Sequence, residues 1–152
     1  MGTIITANAP QRLLLLLTAD CDAELVARQI ETHGHDHSHV RVVAPLVGSR
    51  LSHFFSADEH ASRPAAESRL ADAVDALQRH GLEASGHVGD AIPLQALDDE
   101  VAVFRPHELV LVTHRADERQ WYEKHLPEEA TARFHLPLTV VEAVSAPGPE
   151  AA

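Results

Sequence analysis

Residues 13–17 are five consecutive leucines, set between Arg12 and Thr18. A helix that lies on a core repeats its apolar residues every third or fourth position, and a half-exposed strand repeats them every second. An unbroken run this short does neither. It fits a strand covered on both faces, the situation of a central strand in a parallel sheet. Parallel strands cannot be joined by hairpins, so such a chain needs helical crossovers.

The rest of the sequence supplies them. Asp20 can cap a helix whose stripe is Ala23, Val26, Ala27 and Ile30, with Gly34 at its end. Val40–Val47 is a second apolar run. Residues 49–63, which include Phe54 and Phe55, read as a long connection whose aromatic pair anchors it to the core. Pro64 suits a first helical turn, Leu70, Ala73, Val74 and Leu77 form the next stripe, and Gly81 suits the position after a helix. Leu82–Val88 is a weaker strand. Gly89 and Asp90 turn into a third helix with Leu94, Leu97, Val101 and Phe104 on one face, stopped by Pro106. Leu109–Thr113 is a fourth strand, 115–134 is mostly helical with a restart at Pro127, and Leu138–Val144 is a fifth strand.

Strict alternation of five strands with four helices gives a parallel sheet with helices on both faces. Right-handed crossovers leave two common five-stranded orders, 2-1-3-4-5 and 3-2-1-4-5. We expect the second: a single doubly wound α/β domain over 12–144, with a loose N-terminal segment at 1–11 and a tail at 145–152. The formal net charge of −11, with Lys124 as the only lysine, leaves no basic cluster. Nucleic acid and anionic membranes are therefore not expected partners. The leucine run is too short to span a bilayer, and residues 1–11 lack a basic signal-peptide start. Cys21 is the only cysteine, so no intrachain disulfide can form, and a cytoplasmic location is expected.

Two stretches carry a resemblance. "GLEASGHVGDAIPLQALDDEVAVFRPHELVLVTH", Gly81 to His114, is similar to the third strand, third helix and fourth strand of the universal stress protein family. "HLPLTVVE", His135 to Glu142, resembles that family's closing segment. The resemblance spans roughly 12–144 and implies a UspA-like fold, a stress or signalling role and a homodimer through the last strand, with Val140, Val141 and Val144 near the contact. An apolar edge strand invites such pairing in its own right. Nucleotide-binding members place Gly-x-x-Gly, nine residues, then Gly-Ser/Thr after the fourth strand, where glycines let the backbone approach phosphates. Here that segment reads "THRADERQWYEKHLPEEA", Thr113 to Ala130, with no glycine and with Asp117, Glu118, Glu123, Glu128 and Glu129 to repel phosphate. The expectation is a non-enzymatic module with no cofactor and no tight ATP binding. The alternative is a nucleotide or small-anion binder.

In an open parallel sheet a ligand sits beyond the carboxyl ends of the strands, where the strand order reverses. With order 3-2-1-4-5 that place holds Thr18, Asp20, Cys21, Thr113, His114 and Arg115, with Arg115 facing an anion. Set against it is ordinary loop polarity with Asp20 as a cap. Cys21 in a first helical turn beside His114 would suit thiol catalysis, set against a small thiol that only packs. His33, His35, His37 and His39 alternate as metal ligands do in an extended segment, set against a solvated connector. A phosphoreceiver would match Asp20, Asp22, Asp90 and Thr113, but no lysine follows Lys124.

Overall fold

The computed structural model describes residues 11–19, 21–32, 39–46, 56–90, 92–115, 117 and 123–143. Among them the leucine run is strand β1, Arg12–Leu17, and all five leucines are 0% exposed. It lies at the centre of a parallel sheet of order β3-β2-β1-β4-β5, the order expected. The neighbours are β2, His39–Pro45, and β4, Glu108–Thr113, with β3, Glu83–Gly89, and β5, Leu138–Glu142, at the edges. Leu15 pairs with Val42 on one side and Val110 on the other.

Alternate leucines feed two cores. Leu13, Leu15 and Leu17 pack with Val26, Ala27 and Ile30 of helix α1, Ala23–Thr32, and with Ala73, Ala76 and Leu77 of helix α2, Ser56–Arg79. Leu14 and Leu16 pack with Ala96 and Leu97 of helix α3, Pro93–Phe104, and with Leu126 and Ala130 of helix α4, Leu126–Phe134. The chain winds from β1 outward to β3 on the first face, then returns under the second face to β4. That return places a gap between the connections leaving β1 and β4.

The polar ends of β1 are held by specific bonds. The Arg12 N–H donates to His107 Nδ1 at 3.0 Å, and Arg12 Nε donates to the Arg105 carbonyl at 2.8 Å. The helices of the first face are clamped by His80. Its Nδ1 lies 2.6 Å from Glu31 Oε1 and its Nε2 lies 2.9 Å from Glu24 Oε1. Hydrogen bonds to Glu24 and then Glu31 hold the His80 pKa above its ordinary value. Chiefly through its bond to His80, Glu24 is held below the usual carboxylate range. On the second face Arg133 grips Asp98 with two nitrogens, at 2.8 and 3.3 Å, tying α4 to α3.

Several boundaries differ from the sequence reading. α1 is capped by Asp22, whose Oδ1 accepts the N–H groups of Glu24 and Leu25 at 3.0 and 3.4 Å, a role expected of Asp20. Asp20 and Gly34 lie outside the described residues. Pro64 is inside α2 rather than in its first turn. The ring removes one backbone donor, but helix-compatible residues precede it and the helix extends back to Ser56. Residues 115–134 are not mostly helical: among the described residues the α-helix begins only at Leu126, with Pro127 and the acidic Glu128 and Glu129 in its first turn. Phe54, Phe55 and Val47 lie outside the described residues.

Gly81, at φ 84°, closes α2 as expected: its N–H reaches the Gln78 carbonyl and that of Leu82 reaches Leu77, both at 3.0 Å. α3 and α4 end without glycine, on Arg105 (φ 53°) and His135 (φ 55°) in the left-handed region. Gly86 lets α2 approach β3. A Cβ there would meet the Val42 carbonyl oxygen and lie 2.7 Å from Leu70 Cδ1.

Candidate functional site

The carboxyl ends of β1 and β4 bring Thr18, Thr113 and His114 together, as expected. Thr18 extends the β1–β4 pairing, its N–H bonded to the Val112 carbonyl at 3.0 Å. Thr18 and Thr113 are 1% and 0% exposed. The Thr113 hydroxyl donates to the His114 carbonyl at 3.0 Å and is turned into local structure.

The space between the strand ends is taken by Glu123, a residue that is 0% exposed. Its Oε2 lies 2.5 Å from the Thr18 hydroxyl and accepts the His114 N–H at 2.9 Å. Its Oε1 lies 2.8 Å from His114 Nδ1. Thr18 Oγ1 is also 2.9 Å from the Val112 carbonyl, so one hydroxyl proton has two acceptors within reach. With the carboxylate ionised, Nδ1 of His114 carries the proton of the imidazole–carboxylate bond. The chain thus supplies its own anion at the place where a doubly wound sheet offers room for one.

Of the other residues singled out from the sequence, Asp20 lies outside the described residues. Arg115 is 57% exposed at its side chain and its Nη2 lies 3.3 Å from Asp117 Oδ2. Cys21 precedes α1 rather than lying in its first turn, because the cap is Asp22. The thiol therefore lies outside the first turn, where the helix dipole would favour its thiolate. It lines a cavity of about 350 Å3 with Ala23, Ala65, Ser68, Arg69 and Asp72, between the start of α1 and the middle of α2. His39 lies on β2 with its Nε2 3.5 Å from Glu83 Oε2, while His33, His35 and His37 are outside the described residues. Among the described residues no group of three His, Cys, Asp or Glu side chains is placed to hold a metal ion. Nor is any described helix long and apolar enough to cross a membrane.

Sequence reasoning counted Glu123 among the charges that repel phosphate and did not foresee its burial. Nothing in its spacing marks it: Trp121-Tyr122-Glu123-Lys124 falls in the stretch that reads as mostly helical, where a charged residue suits the solvent side. The only signal is the coincidence of an acid with a segment that must return across the β1 and β4 ends.

An open all-parallel sheet of this order with an edge-to-edge reversal at β1 and β4 defines a doubly wound α/β protein. No protein-family model matches the sequence, and no curated protein matches it. Solved structures do. The universal stress protein UspA from Lactobacillus plantarum is 14% identical with a TM-score of 0.61, covering 90% of this chain and 100% of that one. An Arabidopsis thaliana universal stress protein family protein, solved with AMP bound, is 13% identical with a TM-score of 0.60, covering 89% and 93%. The universal stress protein from Archaeoglobus fulgidus is 13% identical with a TM-score of 0.57, covering 91% and 98%. The fold is that of the universal stress proteins, along nearly the whole chain.

Proposed function

We propose that this chain is a non-enzymatic, universal-stress-type module that acts as a homodimer in stress or signalling and holds no nucleotide phosphate at its switch point. One observation carries the reading: the buried Glu123 carboxylate occupies the gap between Thr18 and His114. Two like charges 4 Å apart oppose each other by about 4 kcal/mol at an effective dielectric near 20. That is roughly a thousandfold in affinity. A phosphate there would also have to displace Glu123 from its hydrogen bonds. The absence of glycine across 90–147 removes the usual close backbone approach as well.

The dimer part of the proposal rests on β5. Among the described residues it pairs with β4 alone, which leaves its outer edge to a second copy. Val140 is half-buried, whereas Val141 is 8% exposed and packs inward, so Val140 and the edge backbone would meet the partner. Val144 lies outside the described residues. Sedimentation of the wild type and of Val140→Lys tests this part: a dimer that dissociates in the variant is the expected result, and a monomeric wild type overturns it.

The nucleotide part is tested by thermal-shift titration with ATP, ADP and AMP, with and without Mg2+. A ligand at a hundred times its dissociation constant adds about 2.7 kcal/mol, a shift of roughly 5–10 °C for a chain of this size. No shift at millimolar nucleotide is expected. A clear shift would establish the second reading, a nucleotide binder like the AMP-bound Arabidopsis protein, which must then move Glu123 aside.

A further inference from the structure

At the amino ends of the strands a histidine ring takes part in the sheet. Arg12 turns both of its backbone groups toward β4: its carbonyl accepts the His107 N–H at 2.8 Å, and its N–H donates to His107 Nδ1 at 3.0 Å. In a parallel ladder a residue exchanges these two bonds with backbone groups two positions apart, which would make Arg105 the acceptor. The Arg105 carbonyl instead accepts Arg12 Nε at 2.8 Å. An imidazole nitrogen thus stands in for a strand carbonyl. Arg105, Pro106 and His107 form the corner between α3 and β4, with Pro106 buried and Arg105 in the left-handed region at φ 53°, a conformation that a side chain disfavours.

An imidazole nitrogen accepts only through its lone pair, so His107 is held as the neutral ring with its hydrogen on Nε2. A proton taken up by that ring goes to the same lone pair. The acceptor then becomes a donor that faces another donor, and a cation is added to a corner that already carries Arg12 and Arg105. His80 has the opposite requirement. Both of its nitrogens face carboxylate oxygens, Glu31 at 2.6 Å and Glu24 at 2.9 Å, so both must carry protons. One structure therefore holds one histidine neutral and another charged. The other titratable groups at these strand heads have places of their own. His39 of β2 and Glu83 of β3 lie 3.5 Å apart, Glu108 of β4 accepts the Thr139 hydroxyl of β5 at 3.2 Å, and His135 closes α4.

We propose that His107 is an acid-operated latch: proton uptake at Nδ1 releases the Arg12 N–H and frees the head of β1 from the α3–β4 corner, while the His80 clamp stays shut. The opening is local, because the pairing of β1 with β4 from Leu13 onward uses backbone groups alone. Alkali acts on a different part of the fold, through His80, so the two histidines divide the response to pH between β1 and the α1–α2 pair. The latch shares no residue with the Thr18–Glu123–His114 network, so the nucleotide titration neither supports nor weakens it.

Hydrogen–deuterium exchange of the full chain, resolved to single amides and corrected for the intrinsic pH dependence of exchange, reads the latch between pH 8 and pH 5. Protection of the Arg12 amide should fall about fivefold across that range, the loss of one hydrogen bond of ordinary strength. His107 is exposed, so substitutions there leave the core intact. In His107→Asn a carbonyl oxygen replaces Nδ1 and accepts at every pH, so protection should stay at the high level. In His107→Phe it should lie at the low level throughout. The amides of Val26, Ala27 and Ile30 on α1 should keep their protection at pH 5 in all three proteins. Arg12 protection that does not change with pH in the wild type, or that falls in His107→Asn as it does in the wild type, overturns the proposal. So does a His107→Phe chain protected at pH 8 as well as the wild type, or a loss at Arg12 that is matched in α1, the sign of general acid unfolding.

Discussion

Replacing Glu123 by alanine probes what the buried carboxylate holds in place. Thr18 keeps an acceptor, because its hydroxyl also reaches the Val112 carbonyl at 2.9 Å. The His114 ring, at 30% exposure, can turn to water. The His114 N–H has its bond to Glu123 Oε2 removed, and an unmatched buried donor costs about 1–3 kcal/mol. One buried methylene adds about 0.8 kcal/mol of lost transfer energy. The total is near 3 kcal/mol, which for a chain of this length lowers the melting temperature by roughly 6–12 °C. Glutamine keeps the volume and one carbonyl acceptor, so Glu123→Gln should lose about 1 kcal/mol. Calorimetry or urea unfolding reads both. An alanine variant within about 0.5 kcal/mol of wild type, the range of an ordinary surface substitution, would refute the claim that this carboxylate organises the strand ends.

Three other perturbations have defined outcomes. Gly86→Ala forces a Cβ against the Val42 carbonyl and to 2.7 Å from Leu70 Cδ1, so β3 or α2 must shift; a loss of about 2–3 kcal/mol in urea unfolding is expected, and a neutral result would show that α2 does not pack this closely. His80→Gln should narrow the stable pH range. His80 has its pKa raised from 6.5, so its contribution is complete below that pH and fades as pH rises through the raised value; Glu24, lowered from 4.5, contributes above that pH and loses its share as pH falls through the lowered value. The gap in melting temperature between wild type and variant should therefore be widest between these two pH values and close in alkali, and a gap that widens in alkali contradicts the clamp. His135→Gly relieves a left-handed residue, worth about 1–2 kcal/mol, against about 0.4–1 kcal/mol of added unfolded-chain freedom, so a small net gain in the urea midpoint is expected.

The fold was legible because its cues are periodic. Leu13–Leu17, the stripes on α1 to α3 and Gly81 each stated a local structure that the sheet agrees with. Polar residues whose roles depend on distant partners were not legible. Glu100 breaks no pattern on α3 and reads as solvent-facing, yet it is 6% exposed, with His87 Nε2 at 3.0 Å and Arg41 Nε at 3.5 Å from its oxygens. Those partners come from two strands that sequence spacing cannot relate to α3. At the switch point, Thr18, Thr113 and His114 followed from topology alone, whereas Glu123 did not, since it arrives on an irregular segment. The choice between Asp20 and Asp22 as cap is a two-residue shift that propensity cannot resolve.

Five identical side chains in the central strand also mean that the apolar interior holds no record of where that strand should stop. Sliding β1 by one residue would exchange leucine for leucine on both faces, so the usual penalty for misalignment is largely absent. Alignment is instead written at the two polar ends. Arg12 engages His107 and the Arg105 carbonyl, and Thr18 engages Glu123 and the Val112 carbonyl. The residues that fill the candidate site therefore double as the terminal stop of the strand. Damage at either end would first appear as a mixture of frames in one sheet, and only afterwards as a loss of folded protein.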